Sequence, residues 1–227
     1  MLTSAKELLN AAPLVSVGIL TADLLRLGEE LDALDEADIG LVHVDVMDAV
    51  FCPPMTCGPP IVSALPERFV KDVHLMIDEP LSKTHAYVEA GAGILTIHVE
   101  SSRHPHRILQ SLAGTGVVRG VALNPGTAIA AVQPLLDELE LLLMLGVNPG
   151  WRGQSLIDST TARLDEARAR IGDREIVLAI DGGITAANIK HVIAHGADLV
   201  VTGSAVYDGG EASVNARALV SATRGEE

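Results

Sequence analysis

Apolar and polar positions fall in blocks along this chain. Short runs rich in Val, Leu and Ile recur at 14–20, 40–45, 70–75, 93–99, 116–123, 139–147, 175–180 and 198–202. They lack the strict apolar–polar alternation of a half-exposed strand, so they read as strands buried on both faces. Between them lie stretches with helical spacing, at 22–37, 61–65, 81–90, 103–112, 127–136, 159–171, 186–196 and 212–223. Thr21 and Thr185 stand where N-caps belong, Pro80 opens a helix and Gly91 ends one. The phrases EAGAGI (89–94) and AHGADLV (194–200) repeat one solution: a Gly helix stop, a tight turn and a new strand.

Eight strand–helix units in 227 residues predict an α/β fold, a (β/α)8 TIM barrel spanning 1–227 as a single catalytic domain. The rival is an open doubly wound sheet, which usually carries a Gly-rich phosphate turn after its first strand. Here the first strand runs into ILTAD (19–23) instead. No low-complexity linker or charge block marks a domain boundary.

Composition sharpens this picture. Apolar residues make up 48% and aromatics 2%, so aliphatic side chains must fill the core. The net charge of −14 and the lack of any Lys/Arg run argue against nucleic acid as a partner. The N-terminal MLTSAKELLN lacks a signal-peptide apolar core, and LELLLMLGV (139–147) is too short to span a membrane. Cys52 and Cys57 do not make a disulfide framework. The expectation is a cytoplasmic protein with no membrane partner. Leu- and Ala-rich outer helices predict a homo-oligomer.

Barrels of this kind place active sites at the C-terminal strand ends. Those ends carry His43, Asp45 and Asp48, then His74, His98, Asn124, Asn148, Asp181, Gly203 and Ser204. In LVHVDVMD (41–48), His43 and Asp45 lie two apart and so share one face of a strand. Together with His74 and Asp181 they offer two imidazoles and two carboxylates from three strands. That set suits one divalent metal ion, Zn, Fe, Mn or Co. His85, His104, His106, His191 and His195 fall away from strand ends and read as surface residues. Three successive strands also end in loops fit to cradle a phosphate: 148–154 with Gly150, Trp151, Arg152 and Gly153, then Gly182 and Gly183, then Gly203 and Ser204.

The motifs ILTADLLRLGEE (19–30), HVDVMD (43–48), DVHLMI (72–77), HVE (98–100), LNPGT (123–127), VNPG (147–150) with Gly153-Gln154, DGGI (181–184) and GSAV (203–206) span nearly the whole chain. In this order they resemble the ribulose-phosphate 3-epimerase family. The resemblance implies a metal-dependent isomerase of the pentose phosphate pathway acting on a sugar phosphate. D-Ribulose 5-phosphate would pass to D-xylulose 5-phosphate through a 2,3-enediolate. It implies that His43, Asp45, His74 and Asp181 bind the metal and that Asp45 and Asp181 are the catalytic acid/base pair. It places Met47 and Met76 beside the reacting carbons and Gly18 against the substrate.

Several positions depart from the family pattern. Gly18 replaces a usual Ser. Leu145 takes the place of a third Met, with Met144 one position early. Gly150-Trp151-Arg152-Gly153 replaces Gly-Phe-Gly-Gly, and Pro54 replaces an Asn. Arg152 gives up the easy positive φ of glycine and offers a fork of donors. These departures leave another ketose phosphate, allulose 6-phosphate or a tetrulose phosphate, as an alternative substrate. A phosphate-binding barrel without catalysis is the alternative of another class.

Overall fold

The computed structural model describes residues 2–225. Eight parallel strands pair in sequence order, and the last closes on the first. They are β1 (Leu14–Gly18), β2 (Leu41–Met47), β3 (Val70–Met76), β4 (Ile94–His98), β5 (Val118–Leu123), β6 (Leu141–Leu145), β7 (Val177–Asp181) and β8 (Leu199–Thr202). The α-helices are α1 (Ala5–Ala11), α2 (Leu27–Asp35), α3 (Pro59–Ala64), α4 (Thr84–Glu89), α5 (Pro105–Leu112), α6 (Thr160–Ile171), α7 (Ile189–Ala194), α8 (Ser204–Tyr207) and α9 (Ala212–Arg224). This is the (β/α)8 TIM barrel predicted from the block pattern.

Strand alternation sorts the core into two shells. Val42, Val44, Val46, Val73, Leu75, Leu95, Ile97 and Met144 point outward into a shell shared with the helices. Leu41, Val70, Ile94, Val118, Leu141, Leu143, Leu145, Val177, Leu199 and Val201 fill the barrel itself. Leu145 thus faces in and Met144 out, as their one-residue offset predicts. Burying each of these aliphatic side chains contributes about 1.5–3 kcal/mol.

The sequence reading missed α1. Its Ser4 cap accepts a hydrogen bond from the Glu7 N–H at 3.3 Å, and Ala5 and Leu8 close the floor of the inner shell. Other elements differ at their ends. The segment after β1 breaks into two 3-10 turns, and Asp23 caps the second rather than Thr21 capping a continuous helix. Between β5 and β6 the chain forms a 3-10 helix, Ile129–Leu135, with Pro134 inside it. Proline removes an amide donor and clashes with an α turn, so the predicted α-helix cannot run there. At α7, Asn188 rather than Thr185 stands at the cap, its side chain accepting from the Thr185 N–H at 2.8 Å.

Candidate active site

Inward-facing positions on β2, β3 and β7 bring together the residues that the sequence scatters. His43 and Asp45 leave β2 on one face, and Asp45 lies in register with His74 on β3. Asp181 ends β7. The Asp45 carboxylate sits 3.2 Å from His43 Nε2 and 3.0 Å from His74 Nδ1. Asp181 lies 4.0 Å from His43 Nε2 and 3.9 Å from His74 Nδ1. One donor atom from each of the four residues falls within 4.8 Å of all the others.

The opposite edge of each imidazole is already engaged. His43 Nδ1 lies 2.7 Å from the Asp72 carboxylate, which also accepts from Ser16 Oγ at 2.9 Å. His74 Nε2 lies 2.9 Å from His98 Nε2, and His98 Nδ1 lies 3.1 Å from Glu100. A ligand histidine needs one nitrogen free and the other held by an outer partner. The donor set therefore fits a divalent ion: two nitrogens, two oxygens and both rings oriented from behind. Asp72 was not singled out from the sequence. Its signal was present, since Asp72 stands two before His74 and so shares its face.

Charges in the centre are strongly split. Burial alone would raise the Asp45 carboxyl, but the His43 charge and hydrogen bonds from His43 and His74 hold it well below its ordinary value. Burial and the nearby Asp45 charge push Asp181 up to about 6. Burial would lower His43, yet Asp72 and Asp45 hold it well above its ordinary value. Burial pushes His98 down to about 4.

Above this centre opens a cavity of about 470 Å³ lined by Asp45 and Asp181 below and by Gly18, Arg152, Gly182, Gly183, Gly203 and Ser204 around it. Trp151 and Gly153 also line it. Gly182 and Gly183 hold φ of 98° and 74°, and a Cβ on Gly183 would lie 2.5 Å from the Leu156 amide nitrogen. A Cβ on Gly203 would lie 2.8 Å from the Gly18 carbonyl. Only glycine lets these loops approach so closely. Gly150 turns elsewhere: at φ 90° it packs on Cys52, Pro53 and Pro54. Arg152 is not among the residues at positive φ, so it meets no strain there. Its guanidinium donates to the Leu20 carbonyl at 2.5 Å, spanning from the β6 loop to the β1 loop.

Met47 and Met76 are register partners at the ends of β2 and β3, beside the centre but outside the cavity lining. Asp48 instead holds its own loop, accepting from the Val50, Phe51 and Asp78 amides. Burial pushes the Cys52 thiol up to about 11, and both cysteines are free thiols outside the metal cluster. His85, His104, His106 and His191 are exposed, and His195 is half-buried beside Asp165. Among the described residues no helix is long and apolar enough to cross a membrane.

Comparison with known proteins extends this geometry. A ribulose-phosphate 3-epimerase from Rhodobacter capsulatus is 43% identical over 201 residues, covering 88% of each chain. One from Bacillus subtilis (strain 168) is 39% identical over 198 residues, covering 85% of this chain and 91% of its own. Among solved structures, 3-keto-L-gulonate-6-phosphate decarboxylase from Vibrio cholerae superposes with a TM-score of 0.72 at 14% identity, over 95% of this chain and 99% of its own. That likeness speaks for the fold alone. The model of the ribulose-phosphate 3-epimerase family matches residues 14–207, and with these identities over most of both chains, this chain belongs to that family.

Proposed function

We propose that the protein inverts the configuration at C3 of D-ribulose 5-phosphate, giving D-xylulose 5-phosphate. It is an isomerase of the carbohydrate-epimerase type, and residues 1–227 act as one catalytic domain. The observation that carries the reading is the placement of two carboxylates, Asp45 and Asp181, among two oriented imidazoles at the floor of a glycine-walled cavity.

A C3 proton next to a ketone is too weakly acidic to leave unaided. Two carboxylates serve the two faces of the carbon: one takes the proton and the other returns one from the opposite side. Asp45 enters from β2 and Asp181 from β7, so the two approach the cavity from separate strands. His43, Asp45, His74 and Asp181 would hold one divalent ion. When bound, that ion supplies Lewis-acid stabilisation of the negative charge that develops on the sugar oxygens. Met47 and Met76, register partners just behind the cavity lining, would back the reacting carbons with polarizable, non-acidic surface. At the mouth, backbone amides of Gly153, Gly182, Gly183, Gly203 and Ser204, with the Arg152 guanidinium, receive the phosphate. Gly150 shapes the turn that presents Trp151 and Arg152. A cytoplasmic homo-oligomer completes the reading.

The test is a ketose-phosphate panel run with metal analysis of the purified protein. D-Ribulose 5-phosphate should give the largest kcat/KM, with one divalent ion per chain. A larger kcat/KM on allulose 6-phosphate or a tetrulose phosphate would reassign the substrate. No solvent deuterium at C3 of any of them would remove the epimerase reading.

A further inference from the structure

We propose that His98 and Glu100 are positioning residues which fix the proton on His74 Nε2, leaving Nδ1 bare for a divalent ion. This rests on the metal-site reading above and goes beyond its four ligands. His98 and Glu100 stand two apart at the end of β4 and within the turn that follows.

The argument is an inventory of protons along one chain of contacts. His74 Nδ1 faces Asp45 at 3.0 Å, and His74 Nε2 faces His98 Nε2 at 2.9 Å. Both rings are buried, their planes 25° apart with centroids at 4.9 Å, and Phe51 packs against His98 at 4.6 Å between centroids. Two imidazole nitrogens this close need one proton between them. Two lone pairs would repel, and two N–H groups would clash. The far end decides the direction. Glu100 Oε2 lies 3.1 Å from His98 Nδ1. Its other oxygen already accepts from the Asn124 amide at 2.8 Å and the Thr127 hydroxyl at 2.5 Å. A carboxylate so held is an acceptor, so His98 Nδ1 must donate. A neutral His98 then accepts at Nε2, and His74 donates from Nε2. With a divalent ion seated against Asp45 and Asp181, His74 Nδ1 is then the nitrogen whose lone pair is left to face it. Reversing the order would set a lone pair against Glu100 and a proton where the ion belongs.

His43 reaches the same state by a shorter route, donating from Nδ1 directly to Asp72. The two ligand histidines are thus each oriented by a carboxylate, one directly and one through a second imidazole. Outer partners of this kind shift metal affinity by about 10–100-fold.

The experiment strips the full-length protein with a chelator and titrates it with Zn2+ against a competing dye. In parallel, 15N-labelled Zn2+-loaded protein is examined for a slowly exchanging His74 Nε2–H. His98→Phe, which keeps a ring but removes both nitrogens, should weaken Zn2+ binding about 10–100-fold and lose the protected proton. Glu100→Gln should weaken it by about tenfold at the outer edge of the same effect. His98→Gln should recover most of the affinity, because its amide can accept from His74 and donate to Glu100. Ser101→Ala removes the neighbouring hydrogen bond from Ser101 Oγ to the His98 carbonyl and should lower Tm without weakening Zn2+ binding. If His98→Phe does not fold, Glu100→Gln carries the test, since its side chain is 23% exposed. Affinity within twofold of native for the folded variants overturns the proposal, as does an equal loss in Ser101→Ala. A native protein that binds no Zn2+ overturns the metal-site reading and this proposal with it.

Discussion

The floor and the mouth of the cavity are built on opposite plans. At the floor, His43 and His74 are about 1% exposed or less, and hydrogen bonds hold each ring on both edges, to neighbouring strands at every edge but the Nε2 edge of His43, which meets Asp45 on its own strand. At the mouth, the β6 loop secures itself. Gln154 accepts from the Asn148 amide and donates to the Asn148 and Trp151 carbonyls, while Trp151 stays 58% exposed. Of the departures from the family pattern, Gly18, Pro54, Trp151 and Arg152 lie at the mouth or in the loops beside it, Leu145 lies inside the barrel in register with Asp181, and none falls on the four-residue metal cluster. A cross-linked floor tolerates little change because His43, Asp45, Asp72, His74 and His98 are one another's partners. The mouth can vary, because its groups meet water when unpaired. On the proposed function, the reaction belongs to the floor, and preference among phosphorylated sugars belongs to the mouth.

The sharpest way to break this division is to disable the floor without touching the mouth. Asp45→Asn and Asp181→Asn, made singly, should each cut kcat by about 10³- to 10⁴-fold. KM should change little and the thermal transition should stay cooperative. Retained turnover in either variant, measured with D-ribulose 5-phosphate, would show that the two carboxylates do not share the proton work.

A second effect of the floor depends on pH. In the metal-free site His43 is held protonated by Asp72 and Asp45, and Asp181 titrates near about 6. Ligands must lose their protons to bind metal. Uptake therefore displaces one proton from His43 and, below about pH 6, a second from Asp181. Zn2+ affinity should climb with pH throughout, with a limiting slope of up to about a hundredfold per pH unit where both protons must leave. Titrations from acid to neutral pH read this directly, and a flat profile would mean that the floor is pre-emptied of protons in some other way.

How much of this contrast was written in the sequence follows from the same division. The barrel was legible because buried parallel strands declare themselves as aliphatic runs, and His43, Asp45, His74 and Asp181 were legible as polar interruptions at the ends of those runs. The bonds between them were not. That His43 meets Asp72, and His98 meets His74, depends on the pairing of β2 with β3 and of β3 with β4, and a one-residue slip would turn every side chain to the other face. Helix α1 escaped because seven residues give too little periodicity, and it is held by its packing under the barrel rather than by propensity. At the mouth, glycines could be recognised but not their separate duties: Gly183 permits a close approach, whereas Gly150 turns away toward Cys52.

Mouth substitutions should move KM and spare kcat. Among the described residues Arg152 is the one Lys or Arg lining the cavity, which also carries the acidic Asp45, Asp181 and Asp208. Arg152→Ala should raise KM about tenfold, a loss of about 1.4 kcal/mol, and leave kcat within about twofold. Arg152→Lys should recover only part, because an ammonium lacks the planar fork. A fall in kcat equal to the loss in kcat/KM would place Arg152 in transition-state stabilisation and blur the contrast between floor and mouth.

Gly18→Ser should produce the smallest change and is the finest probe of what the mouth recognises. Gly18 has φ −70°, which serine adopts freely. A Cβ there would meet the Gly203 Cα at 3.7 Å, an ordinary contact. Because Gly18 lines the cavity, the new hydroxyl has access to bound sugar. One neutral hydrogen bond is worth about 1 kcal/mol, so KM for D-ribulose 5-phosphate should fall by about three- to fivefold with kcat unchanged. Replacing glycine at a compatible backbone position also adds about half a kcal/mol of stability through the unfolded chain, so a lower KM must be read beside a slightly raised Tm. A KM that rises instead would mean that the open space at Gly18 is occupied by a larger sugar, and the substrate panel repeated on this variant would show the preference shifting toward the pentose.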